Sequence, residues 1–277
     1  MPNLKQITCF LFDNGSLRAA STRALRRVSE RLGERIGMEV RSVSLLHSNR
    51  VDLNELAGEP AQLLEESLDQ FAHKGDGTAV ILPLFFGPSG ALVEYLPPRL
   101  AALQTKYPQC RFILANCLES PGDDSTKLLA CAIERAIGEA IVQNGMTAPA
   151  IVMTDHGSPL VAVTDVRNRI GEELALRIPL ALSVASMERR EGERYAFNEP
   201  LLKRALNELA QSGQTEAVVA LQFLFAGRHA GPKGDIAQIC ADVSREYPQL
   251  RINITEPIGE SGEIIELLAR RFNAAIS

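Results

Sequence analysis

Two imidazoles and a carboxylate carry the chemical potential of this chain. His156 lies in Asp155-His156-Gly157-Ser158, and Glu188 in Ser186-Met187-Glu188-Arg189-Arg190. His229 lies in Ala226-Gly227-Arg228-His229-Ala230-Gly231. Imidazole nitrogen and carboxylate oxygen together suit Fe²⁺, Co²⁺, Ni²⁺ or Zn²⁺. Three protein ligands leave positions open for a reacting partner, as a metal-transforming site needs. Neutral imidazole can also take up protons near pH 7. A lone histidine after a strand is more often a loop or capping residue, and Glu188 alone would read as a solvated carboxylate. Their joint placement, each after an apolar strand-like run, points to a site. His47 lacks that company and reads as a loop residue, as does His73 beside Lys74-Gly75-Asp76.

The elements that must position these groups alternate. Apolar runs at Ile7–Phe12, Glu39–Leu46, Ala79–Phe86 and Arg111–Ala115 read as strands. The segments Thr22–Ile36, Pro60–Ala72, Leu92–Lys106 and Ser125–Val142 between and after them read as helices. The order repeats with strands at Ala150–Thr154, Leu180–Met187, Ala217–Phe225 and Arg251–Thr255. Its helices are expected at Val163–Leu176, Pro200–Gln211, Asp235–Glu246 and Gly262–Ala275. Strands alternating with helices of this length imply βαβ units and a parallel sheet. Sites in such α/β sheets lie beyond the C-terminal strand ends. His156, Glu188 and His229 all stand there.

Four matches show that the chain is a tandem duplication. Asp13-Asn14-Gly15-Ser16 recurs as Asp155-His156-Gly157-Ser158, 142 positions on. Glu59-Pro60 recurs at Glu199-Pro200 and Tyr107-Pro108-Gln109 at Tyr247-Pro248-Gln249, both 140 on. Glu119-Ser120 recurs at Glu260-Ser261, 141 on. A fixed period in order signals a repeated unit. Two three-layer α/β/α domains are expected, each with a four-stranded parallel sheet: residues 1–145 and 146–277, joined at Gln143–Pro149. In the first copy His156 corresponds to Asn14, Glu188 to His47, and His229 to Ser89 or Gly90. The first repeat is therefore expected to lack the metal site and the second to carry it.

Composition narrows the classes. The chain has 277 residues, 45% hydrophobic and 23% charged, as in a soluble globular protein. A net charge of −5 argues against binding nucleic acid through phosphate contacts. Cys9, Cys110, Cys117, Cys131 and Cys240 form no Cys-X-X-Cys pair, which suits reduced thiols in a cytoplasmic protein. Met1–Lys5 carries no leader pattern and no run of 18 apolar residues occurs, so neither export nor a membrane span is expected. Asp155, His156 and Ser158 invite a hydrolase reading, but Pro159-Leu160 denies the Gly-X-Ser-X-Gly elbow that such a serine needs. A nucleotide-binding reading finds neither Gly-X-Gly-X-X-Gly after the first strand nor a Walker A motif.

Strand-His-Gly-Ser, strand-Glu, then Phe223-Leu224-Phe225-Ala226-Gly227-Arg228-His229 followed by Asp235-Ile236 resembles the class II tetrapyrrole chelatases. These are the sirohydrochlorin cobaltochelatases and ferrochelatases, whose long forms are two tandem α/β units. The resemblance covers the whole chain. It implies a lyase-type enzyme inserting Co²⁺ or Fe²⁺, with Ni²⁺ a further candidate, into sirohydrochlorin for cobalamin or sirohaem synthesis. The metal is then substrate, and no organic cofactor is expected. His156 and His229 match the family's two active-site histidines, and Glu188 the acidic residue that helps hold the metal. A cleft between the copies is the expected holder of the macrocycle. Its carboxylates would meet Arg189, Arg190, Arg228 and Lys233, with Ser158 beside them. Each of these cations read alone is as well explained as a solvated loop charge. A monomer is expected, since one chain supplies both units. The alternative is a metal- or tetrapyrrole-binding protein on the same scaffold that performs no insertion.

Overall fold

The computed structural model describes residues 7–277, so the leader reading at Met1–Lys5 lies outside the described residues. The first sheet is built from β1 (Ile7–Asp13), β2 (Val40–Ser44), β3 (Gly77–Pro83) and β4 (Cys110–Leu114). Its order is β2-β1-β3-β4, and every pairing is parallel. The second sheet has β5 (Ala150–Asp155), β6 (Leu182–Ser186), β7 (Glu216–Leu221) and β8 (Arg251–Ile254) in the order β6-β5-β7-β8, again all parallel. The central strands are buried along nearly their whole length, as a sheet covered on both faces requires.

The helices connecting the first sheet are α1 (Ala19–Ile36), α2 (Leu64–His73) and α3 (Leu96–Lys106), followed by α4 (Ser125–Gln143). The second set is α5 (Val161–Ala175), α6 (Leu202–Gln211), α7 (Asp235–Glu246) and α8 (Gly262–Ile276). Leu64, Leu68, Leu96 and Leu103 of α2 and α3 pack against Phe10, Phe12 and Ile81 of the first sheet. Leu202, Leu206, Ile236 and Val243 of α6 and α7 do the same against Val152, Val219 and Leu221. Among the described residues no helix is long and apolar enough to cross a membrane.

The compact units do not coincide with the repeats expected to divide at 145 and 146. One unit comprises Met1–Pro121 with Ile264–Ser277; the other is Gly122–Glu263. Each repeat's last helix is exchanged. α4 buries Leu129, Ile133 and Ile137 within the second unit, where it packs on α5 and β7. α8 belongs to the first unit, where Arg271 donates to the carbonyls of Cys117 and Leu118. The sequence period marks the duplication, whereas buried apolar area decides which helix a sheet keeps.

Several boundaries move for local reasons. Leu63 and Leu201 form isolated bridges to Ser44 and Ser186, so α2 and α6 start later than Pro60 and Pro200. β3 and β7 end at Pro83 and Leu221 rather than Phe86 and Phe225. Beyond Gln222 the carbonyls of Phe223 and Leu224 turn to accept from Ile258 and Gly259. The segment carrying His229 is thus a loop from Gln222 onward. In the first unit a π-turn at Ala91–Tyr95 precedes α3, whose early Pro97 and Pro98 donate no backbone hydrogen.

Candidate metal centre

Three loops at the C-terminal end of the second sheet hold the three groups. His156 follows β5, Glu188 lies two residues after β6, and His229 sits in the loop from β7 to α7. The rings of His156 and His229 meet edge to face, with centroids 4.6 Å apart. His156 Nε2 is 3.6 Å from Glu188 Oε1, with side chains 47% and 61% exposed, so both can reach an incoming ligand. His229 is more enclosed, with 28% of its side chain exposed.

The hydrogen bonds assign the ring nitrogens. His229 Nδ1 lies 2.5 Å from Asp235 Oδ2, and an ionised carboxylate only accepts. His156 Nδ1 lies 3.0 Å from the carbonyl of Gly157, which also only accepts. Both protons therefore belong on Nδ1, leaving both Nε2 lone pairs free to bind a metal or accept a proton. In that tautomer the His156 lone pair faces a carboxylate oxygen at 3.6 Å. Two electron-rich atoms at that separation call for a cation between them, either a proton or a metal. Among the described residues no three His, Cys, Asp or Glu side chains already surround one point as a finished metal cage.

The turn bearing His156 is held from below. Gly157 has φ +88, in the region that glycine favours, and a Cβ there would lie 1.9 Å from the Glu188 carbonyl oxygen. The Glu188 amide donates to the His156 carbonyl at 3.2 Å, fixing the two loops to each other. Asp155 is buried beneath them, and Ser186 Oγ donates to its Oδ1 at 2.6 Å. Burial holds the Asp155 carboxyl above the usual carboxylate range, although Ser186, Arg167 and the Gly157 amide pull it down. In the His229 loop, Gly234 packs so tightly that a Cβ would lie 2.4 Å from the His229 carbonyl oxygen.

The residues expected at the substrate sort differently. Ser158 is engaged structurally: its hydroxyl accepts from the Leu160 amide, and Asn198 bonds both its amide and its carbonyl. Arg189 is committed to Glu199 Oε1 at 2.7 Å and to the Gly192 carbonyl. Arg190 and Arg194 bond the Tyr195 phenol and hold it below its ordinary value. Lys233 is exposed, and Arg228 is exposed with Nε 3.8 Å from Asp235 Oδ2. The sequence reading passed over Asp235 as a site residue. The signal was present as an acidic residue six positions after the histidine, opening a helix, where a carboxylate is favoured.

The backbone also corrects the comparison between copies. Leu46 donates to the Asn14 carbonyl as Glu188 donates to that of His156, so Glu188 corresponds to Leu46, not His47. Gly87 accepts from Ser89 as Phe225 accepts from Gly227, so the copies run 138 apart there and 140 apart by Tyr107 and Tyr247, which leaves His229 opposite the segment from Ser89 to Ala91. His47 instead occupies a left-handed turn position, φ +67. The first copy has Asn14 and Leu46 in place of His156 and Glu188, and Ser89, Gly90 and Ala91 supply no imidazole opposite His229.

The first copy keeps the acid, here half-buried. Asp13 accepts from Ser44 Oγ at 2.6 Å and from the Gly15 amide. Burial raises its pKa from 3.8 to about 6. The folded form thus holds a proton that the unfolded chain releases near pH 4. Its stabilising contribution is complete below pH 4 and is lost as pH rises through about 6. Asp13→Asn is expected to remove that dependence and raise stability at pH 7 by on the order of 2 kcal/mol, discounted for partial exposure. Thermal melts at pH 4 and 7 check it.

Comparison with known proteins fits this geometry. Residues 150–275 match the CbiX family model, and the match contains all three groups. The second repeat is thus similar to the CbiX family. The sirohydrochlorin ferrochelatase of Arabidopsis thaliana chloroplasts is 29% identical over 140 residues, covering 50% of this chain and 58% of the relative. The chain thus matches little more than half the length of that relative. SirB from Bacillus subtilis, solved with Fe³⁺, superposes with a TM-score of 0.73 at 14% identity, over 98% of this chain and 95% of SirB. CbiX, described as the terminal enzyme of sirohaem biosynthesis in denitrifying bacteria, gives 0.61 at 18%, over 98% of this chain and 100% of CbiX. At those identities the structures establish a shared two-domain chelatase fold.

Proposed function

We propose that this chain inserts a divalent metal, Co²⁺ or Fe²⁺, into a sirohydrochlorin-type tetrapyrrole. The observation that carries the reading is the pair of Nε2 lone pairs on His156 and His229 beside the Glu188 carboxylate. Insertion requires a metal to pass from protein ligands to pyrrole nitrogen and two N–H protons to leave. Neutral imidazoles serve both needs near pH 7. Glu188, the most exposed of the three, can hold the ion and neutralise its charge. The relative named as a sirohydrochlorin ferrochelatase supports the substrate class. The SirB structures with Fe³⁺ and with cobalt support both metals as candidates. Nitrogen and oxygen donors accept Co²⁺, Fe²⁺ and Ni²⁺ alike, so choice among them rests on availability.

The test is an anaerobic absorbance assay with sirohydrochlorin and Co²⁺ or Fe²⁺. Multiple turnovers above the uncatalysed rate are expected. A spectral change that saturates at one equivalent would make the chain a binding protein and overturn insertion.

A polycarboxylate substrate needs cations that are not already committed. Arg228 and Lys233 are exposed on the His229 loop, whereas Arg189 is tied to Glu199. Replacing both Arg228 and Lys233 by Ala is expected to raise KM about tenfold with little change in kcat, because charge-assisted bonds are lost. Arg189→Ala should mainly lower the melting temperature. Steady-state kinetics at varied sirohydrochlorin separates the two.

A further inference from the structure

We propose that Arg167 is a positioning residue for His156, acting through Ser186 and Asp155; the inference rests on the metal-site reading above. Arg167 lies on α5, and its side chain is 2% exposed. A guanidinium so buried needs several acceptors to offset its lost hydration. One Nη donates to Ser186 Oγ at 2.6 Å and to the Asn198 carbonyl at 3.1 Å. The other donates to Asn168 Oδ1 at 2.9 Å and to the Phe197 carbonyl at 3.4 Å. With its hydroxyl oxygen taken as acceptor by Arg167, Ser186 directs its own proton to Asp155 Oδ1.

These bonds converge on the residues flanking His156. Asp155 precedes it and accepts from the Gly157 amide; Ser158 follows it and is clasped by Asn198 at both its amide and carbonyl. The histidine turn is therefore fixed on each side by groups that Arg167 holds. Each of Ser186, Asp155 and Asn198 is itself buried, so the frame has little freedom to relax.

The first copy supplies an internal contrast. Leu25 is the corresponding residue, 142 positions earlier and likewise buried. Its neighbour Arg26 reaches the loop from the helix flank instead, donating to the carbonyls of Leu56, Glu59 and Pro60. Asp13 and Ser44 keep their bond at 2.6 Å, but the apolar Leu25 stands where the second copy has its guanidinium. The insertion of the guanidinium under the acid accompanies the copy that has a histidine to orient. Partners that orient a metal-binding histidine typically change metal affinity 10- to 100-fold.

The experiment compares Ser186→Ala, Arg167→Lys, Ser44→Ala and His156→Ala in the full chain. Calorimetric titration with Co²⁺ is combined with thermal melts. Ser186→Ala and Arg167→Lys should fold and bind Co²⁺ about tenfold more weakly, with kcat falling more than KM changes. Ser44→Ala removes the matching bond in the first copy and should cost similar stability without altering Co²⁺ affinity. Wild-type Co²⁺ affinity in both Ser186→Ala and Arg167→Lys, with affinity lost in His156→Ala, would overturn the role of Arg167 alone. Unchanged affinity in His156→Ala would overturn the metal site and this inference together. If Arg167→Lys does not fold, Ser186→Ala decides, since it removes the bridge and leaves the charge pair in place.

Discussion

His156→Ala and His229→Ala are each expected to lower kcat/KM for metal insertion at least about 100-fold, the scale of losing a positioned acid–base group. The argument is geometric. Each ring has its Nδ1 proton directed at an acceptor, His156 to the Gly157 carbonyl and His229 to Asp235, so each presents a bare Nε2. With centroids 4.6 Å apart the rings are close enough to act as one unit. The double variant should therefore be little worse than either single one, as groups that act together are non-additive. His47→Ala should stay within about twofold of wild type, because His47 corresponds to nothing in the site. Insertion retained in both single variants would sink the mechanism. Asp235→Asn should have an intermediate effect, since an amide can present its own N–H to Nδ1 and reverse the tautomer.

Much of this was legible from sequence for identifiable reasons. The alternation of short β-branched runs with amphipathic segments fixes strand and helix type, and the Asp-X-Gly-Ser turn repeats with its neighbours at nearly constant spacing. Two histidines and Glu188 after equivalent strands followed directly. The finer correspondence between copies failed because the spacing drifts from 142 at the first turn to 138 at the third strand end. Only backbone bonds reveal that Glu188 stands where Leu46 does. The helix exchange was hidden because α4 and α8 each carry an apolar face that could cover either sheet. Arg167 was hidden for another reason. An arginine on a helix reads as solvated, and its burial becomes visible only when Ser186, Asn198 and Phe197 converge from segments up to 31 residues away.

The largest effect on stability is expected at the turn glycines. Gly157 and Gly15 share φ +88, and an added Cβ would lie 1.9 Å from the Glu188 carbonyl oxygen and 1.7 Å from that of Leu46. Neither contact can be relieved by a flexible side chain, because the obstacle is the backbone just beyond β6 or β2. Strained φ and overpacking each cost about 1–3 kcal/mol, so Gly157→Ala and Gly15→Ala should each lose about 3–5 kcal/mol. For units of this size that corresponds to a melting decrease on the order of 10 °C. The two should then diverge. In Gly157→Ala the displaced carbonyl belongs to Glu188, whose amide also bonds the His156 carbonyl at 3.2 Å. Relief therefore pulls the carboxylate away from the imidazole, and Co²⁺ affinity per folded molecule falls. In Gly15→Ala the displaced residue is Leu46, whose apolar side chain offers no donor atom to a metal, so affinity per folded molecule is unchanged. Equal loss of Co²⁺ affinity in both variants would mean that the turn supports the fold and not the site. Loss in Gly157→Ala alone identifies the same backbone device as structural in one copy and as the setting of a metal ligand in the other.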